Sequence, residues 1–96
     1  MIVWVLYDIS NDKARAKVAK HCRQAGLYRV QYSVFLGSLN ANELDELGLA
    51  IEALIAPDTD KAYLFTMNQK DLRNCVLLGQ AFDKKLVSDQ VKALFL

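Results

Sequence analysis

The chain has 96 residues, 53% hydrophobic and 24% charged, a composition too apolar for a disordered segment and sized for a single globular domain over 1–96. Its formal net charge of +1 implies no polyanion partner by itself, yet residues 1–37 hold six Lys or Arg against two Asp, while residues 38–96 hold six against nine Asp or Glu. That asymmetry predicts one basic face.

A domain of this size buries only roughly 60 to 65% of its unfolded surface and gains from association. Cys22 and Cys75 have no partner at metal-ligand spacing and read as reduced thiols of a cytoplasmic protein. The apolar start at 2–7 is too short for a membrane span or a signal core, so no membrane association is expected.

In chain order, residues 2–7 (IVWVLY) form a continuous β-branched and aromatic run, the pattern of a strand buried on both faces. Asp8 closes it. A carboxylate there either caps a turn or helix start or holds a metal ion, and position alone leaves both open. A helix follows from Ser10 or Asn11 to Gly26, with Ala14, Val18, Cys22 and Ala25 as its apolar stripe. Lys13, Lys17, Lys20 and Arg23 project away from that stripe, and His21 falls near its edge, as a packed or half-exposed histidine.

Residues 28–36 (YRVQYSVFL) read as strand ending at Gly37, and periodicity does not distinguish one long strand from two short ones bent at 31–33. The next helix carries the strongest local signal. Asn40 with Glu43 makes a capping box, Leu39 with Leu44 a hydrophobic staple, and Leu44, Leu47, Ile51 and Leu54 or Ile55 a buried stripe before Pro57. Residues 62–67 (AYLFTM) and 75–78 (CVLL) read as two further strands, and 86–96 as either a strand or the end of a short helix.

This order predicts an α+β sandwich of the ferredoxin-like type, two helices on one face of an antiparallel sheet. Val3 and Val5 then face opposite to Trp4 and Leu6, so apolar groups leave β-strand one on both sides and the second sheet face needs a cover. A second copy of the chain is the expected cover.

Tyr7-Asp8-Ile9-Ser10, the basic helix with Arg15 and Lys17, and the stretch from Gly26 through Arg29-Val30-Gln31-Tyr32-Ser33-Val34-Phe35 together resemble the "Cas two" family of CRISPR-associated adaptation proteins. The resemblance extends through Val76-Leu77-Leu78-Gly79. It implies a tight connection at 31–33 and hence a βαββαβ order, an extra C-terminal strand or tail, a homodimer, and contact of the tail 84–96 with the partner protomer. It further implies Mg2+- or Mn2+-dependent phosphodiester cleavage with Asp8 as metal ligand and catalytic residue, nucleic-acid contacts from Arg15, Lys17 and Arg29, and supporting roles for Tyr7, Ser10 and Phe35.

The shared family role implied is a scaffold bridging dimers of the "Cas one" integrase on DNA during spacer acquisition, with DNA or RNA as the cleavage substrate. Lys17 keeps the charge of the Arg found in some relatives but loses its bidentate fork. Two other classes compete: a toxin-like metal-dependent endoribonuclease of the same fold, and a binding-only regulatory or RNA-recognition module. The second is weakened because Tyr63 and Phe65 alternate on the wrong strand for RNA recognition of that kind.

Overall fold

In the computed structural model, which describes residues 1–82 and 89–94, the doubly apolar first run becomes β1 (Ile2–Asp8), a central strand paired on both sides. After it come α1 (Asp12–Gln24), β2 (Tyr28–Gln31), β3 (Val34–Ser38), α2 (Ala41–Leu54), β4 (Lys61–Met67), α3 (Gln69–Arg73) and α4 (Asp89–Ala93). The strands form one antiparallel sheet in the order β2-β3-β1-β4. This is the ferredoxin-like arrangement, an α+β fold with β2 and β3 joined by a two-residue turn at Tyr32 and Ser33.

Both long helices start where side chains satisfy their first amides. Asn11 Oδ1 accepts from Ala14 N at 2.9 Å, and Asn40 and Glu43 close a reciprocal capping box. The end of α1 is equally explicit: Gly26 sits at φ +93°, its N–H bonds Arg23 O, and Leu27 N–H bonds Cys22 O. That pair of bonds is a Schellman motif, which needs the left-handed residue that glycine supplies without strain.

Alternation along β1 sends Val3, Val5 and Tyr7 toward the helices, where they pack with Val18, Cys22, Phe35 and Ile51. Val18, Ala19 and Cys22 fill the buried arc of α1, so His21 is turned outward and is exposed rather than packed or half-exposed. The second face holds Ile2, Val30 and Leu36 beneath Leu72 of α3 and Val91 of α4. One end of that face is therefore covered from within the chain. At the other end Leu6 is half-buried and its β4 neighbours Tyr63 and Phe65 are exposed.

Two further sequence expectations need correction. Gly37 does not end β3, which runs on through Ser38; a Cβ at this position would stand 2.8 Å from Leu27 Cδ2, so the glycine permits close approach of the post-helix chain. Residues 75–78 are not a strand. The chain instead turns at α3, capped by Asn68 and closed by Cys75 N–H to Leu72 O, and leaves Val76 and Leu78 exposed without a ladder partner among the described residues. Strand propensity reflects fit to a pleated surface and cannot supply the neighbouring edge. In the tail, 89–93 is helical, one of the two readings of 86–96, whereas 86–88 and 95–96 lie outside the described residues.

Candidate nucleic-acid interface

Asp8 is the last residue of β1, opposite Lys61 in the β1–β4 register and exposed. Alternation places it on the second sheet face, with Leu6 and Trp4. Asn11 performs the helix cap, and the Asp8 carboxylate accepts no hydrogen bond among the described residues, so capping is not its task. The chain around it is nevertheless fixed. Asp60 accepts from Ala56 N at 2.8 Å and Ser10 N at 3.2 Å, tying the β1–α1 loop to the approach to β4. Those backbone donors, Ala56 foremost, hold the Asp60 carboxyl below its ordinary pKa. Ser10 thus supports the loop through its amide.

Arg15 and Arg29 lie on the other side of the sheet. The Arg15 guanidinium donates to Ile9 O at 3.0 Å and pairs with Asp12, one turn back on α1. Arg29 places its guanidinium 5.2 Å from the centroid of the Phe35 ring, and its Nε is buried without a hydrogen-bond partner among the described residues. Phe35 is fully buried and stacks on Tyr7 with ring centroids 6.3 Å apart. Its role is to carry Arg29 and fill the core, not to touch a ligand. Asp12, Arg15, Ala16, Arg29, Tyr32 and Ser33 line a cleft of about 430 Å3 between the start of α1 and the β2–β3 turn.

Tyr7 fastens that turn. Its hydroxyl donates to Tyr32 O at 3.2 Å and its amide to Ser33 O at 3.1 Å. Burial raises its phenol pKa, with Arg29 acting in the opposite direction. Burial likewise pushes the Cys22 thiol up to about 12, leaving it a packing group. Lys17 is exposed on α1 with Lys13, Lys20 and Arg23, while α2 alongside exposes Glu43, Asp45, Glu46 and Glu52. The charge asymmetry of the sequence is thus a division of the helix layer into a basic and an acidic half.

The predicted residues therefore form two groups: Asp8 on the second face, and Tyr7, Arg15, Arg29 and Phe35 around the cleft on the helix side. Sequence reasoning missed Tyr32 and Asp60. Tyr32 stood inside the recognised stretch with no role attached, and Asp60 acts through a partner 50 residues away that no local pattern announces. Among the described residues no group of three or more His, Cys, Asp or Glu could hold a metal, and no helix is long and apolar enough to cross a membrane.

The family model for "CRISPR associated protein Cas2" matches residues 1–75, which contain both groups. The chain belongs to that family. A CRISPR-associated endoribonuclease Cas2 of Archaeoglobus fulgidus is 39% identical over 79 residues, covering 82% of this chain and 84% of the relative. One from Methanospirillum hungatei is 46% identical over 80 residues, covering 83% and 84%. The crystal structure of Streptococcus pyogenes Cas2 at pH 6.5 superposes with a TM-score of 0.68 at 29% identity, covering 82% of this chain and all of that one. A hypothetical protein of Thermus thermophilus gives 0.62 at 29% identity, covering 70% and 80%.

Proposed function

We propose that this chain is a CRISPR adaptation protein: a cytoplasmic homodimer that holds spacer DNA for the associated integrase through the basic surface of α1 and its cleft. The observation that supports this most directly is the separation of the two groups. The exposed lysines of α1 and the Arg15–Arg29 cleft share the helix side, whereas Asp8 stands apart on the opposite face. Binding energy from phosphate contacts spread over such a surface does not require Asp8. The incompletely covered second face, with Tyr63 and Phe65 exposed, supports association with a second copy.

A second reading, metal-dependent endoribonuclease activity, is favoured by the names of the relatives and by the exposed, unpartnered Asp8 carboxylate. One hard oxygen ligand per chain fits Mg2+ or Mn2+, which keep several waters and take one or two carboxylates together with phosphate oxygens. Bound there, such a cation supplies charge stabilisation at a scissile phosphate. The chain's own contribution is to fix Asp8: β-pairing on one side, and the Asp60 tether of the adjoining loop on the other.

Integration by the reconstituted integrase complex tests the ordering. Asp8→Asn is expected to keep most integration while abolishing Mg2+- or Mn2+-dependent cleavage. Neutralising Lys13, Lys17 and Lys20, all exposed, is expected to lower nucleic-acid affinity and flatten its salt dependence, and adding Arg15 and Arg29 to abolish integration. Integration lost on removal of Asp8 alone would make hydrolysis part of the step. A chain that engages no integrase but cleaves RNA would be a toxin-like endoribonuclease.

A further inference from the structure

Met67 is the last residue of β4, and Cys75 follows α3, eight residues on. The turn of chain through α3 brings the Cys75 Sγ to 4.0 Å from the Met67 Sδ, with both residues half-buried. Their backbones are held by the ends of that helix: the Asn68 side chain accepts from Asp71 N at 2.8 Å, Cys75 N–H bonds Leu72 O at 3.1 Å, and Leu72 is fully buried on the second sheet face. The Trp4 indole donates to Met67 Sδ at 3.3 Å and so fixes the thioether itself. Met1, the chain's other methionine, lines one cleft of about 350 Å3 with Met67, so three of the four sulfur atoms of the chain gather at this end of the sheet.

Thiols and thioethers serve most cores as adaptable hydrophobes, and Cys22, fully buried, is of that kind. Cys75 differs in being reachable from solvent, and its one S–H proton has two acceptors, Met67 Sδ and Asp71 O at 3.4 Å. Giving that proton up costs only a weak bond. A thiolate beside a thioether is a pair of soft donors, which selects a soft ion such as Cu(I). An ion about 2.3 Å from each sulfur subtends about 120° across the 4.0 Å gap, a bent arrangement open to a third donor. We propose that Met67 and Cys75 form a binding site for a soft monovalent cation, Cu(I) or Ag(I). On binding, the Cys75 S–H proton passes to solvent as the metal–sulfur bond forms, Met67 donates a lone pair, and the oxidation state of the metal is unchanged. The bound ion clips the chain leaving α3 to the end of β4.

Trp4 is the chain's single tryptophan and bonds one of the two ligands, so its fluorescence reports the site. The full chain is titrated with Cu(I) under anaerobic, reducing conditions and, separately, with Ag(I), which needs no reductant. Each ion is expected to quench the emission with an end point at one ion per chain, and to bind more tightly as pH rises because a proton is released. Met67→Leu keeps the side-chain volume and leaves the thiol in place. It is expected to lower the affinity at least about tenfold, the smallest loss that removing even an outer partner of a metal ligand brings. Cys75→Ser should abolish the quenching. Met67→Leu binding as tightly as wild type would reduce the site to a lone thiol, and quenching that survives in Cys75→Ser would put the ion elsewhere; either overturns the proposal. Zn2+ competing on equal terms would overturn it too, since the site would then not select soft ions.

Discussion

The two faces of the sheet are made from the same strands but finished differently. On the helix side, Val3, Val5 and Phe35 are fully buried under α1 and α2, which follow the strands they cover within a few residues. On the other side, cover comes from distant α3 and α4 and reaches only the end near Ile2 and Leu36, so Phe65 keeps 45% of its surface exposed. Apolar character in β1 is equal on both faces. Closure is not, because the first face is completed by local helices and the second depends on whatever the distal chain or another molecule brings. The electrostatics follow the same division: the basic half of the helix layer and the arginine cleft lie on the closed side, and Asp8 on the open one.

Truncation should expose this difference most strongly. Phe35→Ala empties a site with no exposed surface and removes the ring beneath the Arg29 guanidinium, so it is expected to cost about 3–5 kcal/mol in urea unfolding. Phe65→Ala, on the open face, is expected to cost under about 1 kcal/mol when the chain is dilute, since surface positions lie near neutrality. Comparable losses for the two at low concentration would erase the distinction between the faces. A Phe65→Ala cost that grows with protein concentration would show that a second copy covers this face.

A smaller effect is expected at the seam between β3 and the chain leaving α1. The Cβ of Gly37→Ala would meet Leu27 Cδ2 at 2.8 Å and the Leu27 Cα at 3.2 Å. The side chain can shift, but the backbone is held by the Schellman bonds, so overpacking of about 1–3 kcal/mol is expected on the closed side. Thermal unfolding of the variant checks it. A neutral result would mean that the closed face has more slack than its burial implies.

Legibility in the sequence tracked the range of the interactions. Asn11, Gly26 and the Asn40–Glu43 box act within a few residues, and the helices begin and end close to where those signals put them. The Tyr32–Ser33 turn was visible only through family resemblance, because periodicity has no feature that separates one strand from two there. The helix at 69–73 was missed although Asn68 and Asp71 carry an N-cap pattern, and 75–78 was read as a strand because propensity alone supplies no edge to pair with. In the site, the residue types were readable but their separation was not. The parity of Asp8 with Leu6 could be taken from β1, whereas the approach of Arg29 to Phe35 depends on a register that shifts between Arg29 and Gln31.

The cap of α2 offers a milder test on the closed side. Asn40 Oδ1 accepts from Glu43 N at 2.8 Å, and Glu43 returns a bond to Asn40 N at 2.9 Å. Asn40→Ala removes the first of these and is expected to cost about 1 kcal/mol, detected as a lower urea midpoint with an unchanged slope. A matching change in the slope would indicate that the helix had ceased to form part of the cooperative unit.

The smallest effect is expected at Asp60, beside Asp8, and it differs from the others in depending on pH. Its carboxylate accepts from Ala56 N at 2.8 Å, Ser10 N at 3.2 Å and Thr59 Oγ1 at 3.4 Å, and these donors favour the charged form. A carboxyl whose folded pKa lies below its unfolded value contributes stability that is present above the unfolded pKa and lost as pH falls through the folded one. Wild type therefore keeps this increment at neutral pH and gives it up in acid. Asp60→Asn lacks the charge at every pH, so the gap in melting temperature between the two proteins should be greatest near neutrality and close as the solution is acidified. Thermal scans across that range read it directly. A gap that stays constant with pH would mean that the loop beside Asp8 is held by the shape of the side chain at position 60 and not by its charge.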